Sequence, residues 1–107
     1  MNMTAIADAP VAEADAKDVR IKWLINEKDG APNFVMRHFT VGPNGFTPHH
    51  KHEWEHEVYV LEGEGKVRYE DQEENIQSGD AILIPPNKMH QFLAGSGTLK
   101  FLCLVPK

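Results

Sequence analysis

The sequence predicts an all-β domain of the sandwich or barrel kind, and three observations carry that reading. From Val19 onward, β-branched and aromatic residues recur in short runs. Gly, Pro, Asn and Asp interrupt those runs about every 8 to 12 residues. No stretch shows the apolar period of an amphipathic helix.

The elements follow in chain order. Residues 1–18 are rich in Ala and Asp and poor in groups that bury surface, so they read as a flexible N-terminal arm with a short helical turn after Pro10. The domain proper is expected over 19–107. A first strand covers 19–26, and Asp29-Gly30-Ala31-Pro32 turns the chain into a second at 34–41. A turn at Gly42-Pro43-Asn44-Gly45 leads to strands at 47–52, 56–62, 66–70, 81–84, 90–94 and 98–105. The acidic run Glu70-Asp71-Gln72-Glu73-Glu74 reads as a solvated hairpin tip. In 99–105 only Lys100 is polar, so both faces of that strand should be covered, by a second sheet or by a second subunit in a homodimer.

Composition narrows the function. A chain of 107 residues supports one core. Its net charge of −5 is not gathered into blocks, which argues against nucleic acid as a partner, because phosphate binding needs clustered Lys and Arg. The start of the chain lacks the basic and apolar regions of a secretion signal, and no apolar run approaches the roughly 18 residues of a membrane span. Cys103 is the single cysteine, so no disulfide can form within the chain. A reducing, cytoplasmic location with no membrane partner is expected.

Histidine is where the chemistry concentrates. Of six histidines, His49, His50, His52 and His56 fall within positions 49–56. His50 and His52 are two apart on an expected strand, so their rings emerge on one face. A turn through Glu53, Trp54 and Glu55 brings His56 back at the start of the next strand. His90 follows a turn, a buried run and the rigid pair Pro85-Pro86, and is placed to add a fourth nitrogen.

These residues fall into two blocks that resemble the two motifs of the cupin superfamily. The first block runs from Gly45 through His50, His52 and His56 to Gly63; the second runs from Gly79 through Pro85, Asn87 and His90 to Ala94. The resemblance is strongest to small single-domain cupins with an all-histidine, manganese-type site, and it implies a double-stranded β-helix, the cupin jelly-roll barrel. Departures are visible. Four residues, not five, separate Gly45 from His50; Asn87 replaces a motif glycine, which Asn can do because it tolerates positive φ; and Ala94 replaces the final Asn. His56 also occupies the place of the metal-binding glutamate. Counting from His52 instead of Gly63 lands on Glu57, which stays open as an alternative ligand. Parity favours His56: turned inward, it brings Val58 and Val60 with it, whereas an inward Glu57 would bring Tyr59 and Leu61.

Four imidazoles suit a divalent first-row metal, and ligand type alone does not choose among Mn, Fe, Ni, Zn and Cu. The resemblance favours manganese or iron and an oxidative, dioxygenase-like reaction. An octahedral ion held by four ligands keeps two adjacent positions open for a small-molecule substrate or an oxygen species. Val58, Val60, Ile82, Ile84, Phe92 and Phe101 are expected to line the pocket. Cys103 could lie near the metal from the inner face, and Arg37 could reach an anionic substrate. A metal-dependent binding or sensing module without turnover is the alternative, because the fold alone confers no activity. His49 and His38 are expected to lie outside the ligand set, and Trp54 to cap the hairpin.

Overall fold

A computed structural model describes residues 6, 8–11 and 16–107. The helical turn expected after Pro10 lies outside the described residues. Among the described residues, nine strands form one curled antiparallel sheet: β1 (Ala9–Pro10), β2 (Lys17–Ile25), β3 (Phe34–Phe46), β4 (His56–Glu62), β5 (Glu64–Tyr69), β6 (Gln72–Gln77), β7 (Ala81–Ile84), β8 (His90–Ala94) and β9 (Leu99–Pro106). Along the sheet the order is β6-β5-β8-β3-β9-β4-β7, with β2 added to β3 and β1 to β2. The result is the jelly-roll β-barrel that the sequence predicts. Among the described residues no helix is long and apolar enough to cross a membrane.

Alternation organises the barrel. In β4, His56, Val58 and Val60 are buried while Glu57, Tyr59 and Leu61 are exposed. The same period in β9 buries Leu99, Phe101, Cys103 and Val105. Cross-strand register then joins distant residues into inner-face rows. Trp23 pairs with Arg37, Arg37 with Cys103, Cys103 with Val58, and Val58 with Ile82. Ile21, Phe39, Phe101 and Val60 form the adjoining row. Phe39 stacks on Phe101 at 5.2 Å, and Phe101 meets Phe92 at 4.7 Å, which fixes the aromatic wall of the interior.

Three expectations about elements need correction. Residues 47–52 do not form a strand: beyond Phe46 the chain leaves the sheet and touches it through an isolated bridge between His50 and His90. Pro48 lacks an N–H, and Thr47 spends both its backbone N–H and its hydroxyl on Phe92. The turn expected at Gly42-Pro43-Asn44-Gly45 is instead a bend inside the long β3. The acidic run is a tip only at Glu70 and Asp71; Gln72, Glu73 and Glu74 belong to β6, a strand with Ile76 as its one buried residue.

Two backbone positions explain why the second and first sequence blocks turn where they do. Asn87 adopts φ +63°, a left-handed conformation open to Asn and Gly. Gly63 adopts φ +86° between β4 and β5, and a side chain there would run into the carbonyl of Thr98.

Candidate metal centre

Two backbone segments are stitched together to build the site. His90 N–H donates to the His50 carbonyl at 3.0 Å, His50 N–H returns a bond to His90 at 3.3 Å, and Asn87 N–H donates to the His52 carbonyl at 2.6 Å. The loop carrying His50 and His52 is thereby held against the start of β8, although it is not itself part of the sheet. His56 enters from the first position of β4, facing inward by the alternation of that strand.

Three of the four histidines bring their ligand nitrogens together, and the ring of His56 lies beside them. One ligand nitrogen from each of His50, His52 and His90 lies within 4.8 Å of the others. His50 Nε2 and His52 Nε2 are 3.2 Å apart. Neighbouring nitrogens on one ion at about 2.1 Å would stand about 3 Å apart, so this spacing suits a shared cation. The ring of His56 lies 4.8 Å from that of His90 and 5.2 Å from that of His52. His56 Nε2 is buried with no hydrogen-bond partner, an orphaned polar atom of the kind a bound cation would satisfy. Glu57 is exposed on the opposite face.

Burial favours the neutral form of three of these imidazoles, His52, His56 and His90. Burial lowers His56 from its ordinary value to about 3, helped by the neighbouring His90 and the Arg37 guanidinium. Burial likewise lowers His90 and His52. Neutral imidazole is the form that binds a metal, so the set fits a divalent first-row ion.

Above the histidines is a cavity of about 690 Å³. Trp23, Phe39, Phe92 and Phe101 supply aromatic lining, with Trp54 at the rim stacked 4.7 Å over His52. Arg37 and Cys103 also line it. Val58, Val60, Ile82 and Ile84, expected in the pocket, pack instead in the hydrophobic core beneath it. Trp23 and Phe39 were missed because nothing local in β2 or β3 tells which face the cross-strand register turns toward the histidines. His49 is half-buried, and His38 stands on the outer face beside Lys22 and Leu102.

Arg37 is held in an unusual way. Its guanidinium carbon lies 5.1 Å from the Phe39 ring centre and 5.6 Å from that of Trp23. Its Nη2 donates to Cys103 Sγ at 3.0 Å, while its Nε is buried without a partner. No Asp or Glu is among the described residues that line the cavity.

The cupin domain model (Cupin_2) matches residues 37–105, and the chain belongs to that family. A solved structure of the polyketide cyclase RemF from Streptomyces resistomycificus is 40% identical, with a TM-score of 0.90 over 99% of this chain and 77% of that one. A cupin-2 domain protein from Rhodospirillum rubrum is 26% identical at a TM-score of 0.88, covering 99% of this chain and 72% of its own. Among curated proteins, 1-methylthio-D-xylulose 5-phosphate methylsulfurylase of Rhodospirillum rubrum is 34% identical over 71 residues, which is 65% of this chain and 46% of that protein. The chain thus spans about half the length of that relative.

Proposed function

We propose that this cupin is a metal-dependent enzyme acting on a small, partly apolar anion, with His50, His52, His56 and His90 as the ligands of one divalent ion. The observation that carries the reading is a histidine cluster lining an aromatic cavity that contains Arg37 and no Asp or Glu among its described lining residues. Manganese is the expected metal, with Fe, Ni, Zn and Cu as alternatives. When bound, the ion would supply Lewis acidity and, if manganese or iron, redox capacity as well.

The chain's own residues have separable tasks. Arg37 would pair with the negative group of the substrate, because neither its stacked faces nor Cys103 neutralises its charge. Phe92, Phe101 and Trp54 would exclude water and hold a flat apolar body. The described lining offers no Asp or Glu side chain as a general base, and this supports an oxidoreductase of the dioxygenase type. Ring closure of a polyketide-like substrate is the second reading, favoured by the 40% identity to a polyketide cyclase over nearly the whole chain. The single thiol suits a reducing, cytoplasmic setting.

The test is elemental analysis of protein purified without added metal, followed by oxygen-electrode and anaerobic turnover assays on phenolic and β-diketone substrates. Oxygen uptake coupled to product supports oxidation, and anaerobic product formation supports ring closure. Metal-free protein that cannot be loaded, or ligand-induced stabilisation with no turnover on any substrate, overturns the enzyme reading in favour of a binding module.

A further inference from the structure

A histidine that binds a metal through Nε2 must carry its proton on Nδ1, and the group accepting that proton decides whether the ring is set correctly. His90 meets this condition with a backbone carbonyl: its Nδ1–H donates to Lys88 O at 2.9 Å. His56 has no carbonyl or carboxylate in that position. Its Nδ1 lies 3.3 Å from Cys103 Sγ and 3.3 Å from Arg37 Nη2, and that same Nη2 lies 3.0 Å from the sulfur.

Donor and acceptor chemistry sorts this triangle. A guanidinium has five donors and no acceptor, so Arg37 cannot receive the Nδ1 proton. The sulfur has two lone pairs and can receive one bond from each neighbour. The opposite tautomer would place a hydrogen on Nε2, which is buried and has no acceptor.

We propose that Cys103 is a positioning residue whose sulfur accepts both the Nδ1–H of His56 and an N–H of Arg37, leaving the Nε2 lone pair of His56 open toward the other three histidines. The inference rests on the reading of this site as a metal centre. Phe39 and Trp23 contribute by holding the guanidinium on its faces, which fixes where its donors point. The pair Arg37 and Cys103 are opposite each other in the β3–β9 register, so the arrangement is built into the sheet and not into a loop.

Two readouts test it: histidine ¹⁵N spectra of the metal-free protein at neutral pH, and affinity for Mn²⁺ and Co²⁺ alone. In the wild type, His56 should show the Nδ1–H tautomer. Cys103→Ala should give a tautomer mixture and weaken metal binding by roughly 10–100-fold, the usual range for losing a partner of a ligating histidine. Cys103→Ser keeps an acceptor and should restore the tautomer and bring affinity to within about threefold of wild type. Thermal melts establish that both variants fold. An Nε2–H tautomer in the wild type, or wild-type tautomer and affinity in Cys103→Ala, overturns the proposal. If the wild type binds neither ion the metal reading fails, and the tautomer spectra alone decide the role of Cys103.

Discussion

Arg37 and Arg68 are both half-buried arginines on strands of the same sheet, and they are provided for in opposite ways. Arg68 donates from Nε and Nη2 to Glu73 at 3.1 and 2.9 Å, and from Nη1 to Gln91 at 3.2 Å. Gln91 in turn donates to the Thr47 carbonyl at 3.0 Å. The bond from Arg68 holds the Glu73 carboxyl below the usual carboxylate range. Arg37 has two aromatic faces, a thiol and an imidazole around it and no counter-charge among the described residues, and its Nε is unpartnered. The difference separates an arginine that completes the fold from the one to which we assign the negative group of a substrate.

Four experiments sharpen or break that contrast. The largest effect is expected at the histidines: His50→Ala or His90→Ala should lower metal affinity by at least roughly tenfold, since losing even an outer partner costs that much, while Glu57→Ala and Arg68→Gln leave it unchanged. Titration with Mn²⁺ measures this. Equal loss in Glu57→Ala would remove the distinction between the two faces of β4.

Second, Arg37→Gln should weaken binding of an anionic ligand by roughly 10–100-fold, the worth of hydrogen bonds to a charged group, with little loss of stability. Arg68→Gln should do the reverse, costing at most about 1 kcal/mol in denaturant unfolding because its ion pair with Glu73 is partly exposed, with no change in ligand affinity. Exchanged phenotypes would refute the assignment of the two roles.

Third, the depressed histidines make the metal-free fold sensitive to acid. In the unfolded chain the imidazoles take up protons near 6.5, whereas His56 resists until about 3. Stability is therefore fully present above about 6.5 and falls as pH drops through the window toward about 3. Urea unfolding at pH 7, 5.5 and 4.5 should show this decline, and His56→Gln should flatten it. The same shift moves proton-driven release of a bound metal below the pH of about 6 expected for unperturbed imidazoles.

The smallest effect on the site is expected on the outer face. There Leu102 and Leu104 of β9 are half-buried beside exposed Tyr59 and Leu83, which the register places in adjoining rows. A second copy of the chain is the proposed cover for this strip, which runs across three strands. Sedimentation of the wild type should give a dimer, and Leu83→Lys should shift it toward monomer while metal affinity stays unchanged.

Much of this was legible in local pattern. The alternation His56, Val58, Val60 against Glu57, Tyr59, Leu61 already distinguishes the two faces of β4, and the left-handed turn at Asn87 follows from the tolerance of Asn for positive φ. The sandwich-or-barrel class follows from the succession of short runs and turns, and the jelly-roll form from the resemblance of the two histidine blocks to the cupin motifs. What local pattern cannot carry is anything set by pairing at a distance. β6 is hidden because five of its six residues are exposed and polar, so no apolar alternation marks it. The span 47–52 looks like a strand because its composition is strand-like, yet Pro48 and the Thr47 bonds to Phe92 take it off the sheet. The pocket walls differ from expectation for the same reason: whether Trp23 or Val58 faces the cavity depends on sheet curvature, which no stretch of β2 or β4 encodes alone.

The loop that presents His50 and His52 depends on three backbone hydrogen bonds to residues 87–90. Those bonds close a loop of chain that contains β4, β5, β6 and β7. Closing a loop of that length costs chain entropy that the three bonds must offset. Any cation the histidines captured would bind only the closed arrangement, and so add its binding free energy to the stability of that closure.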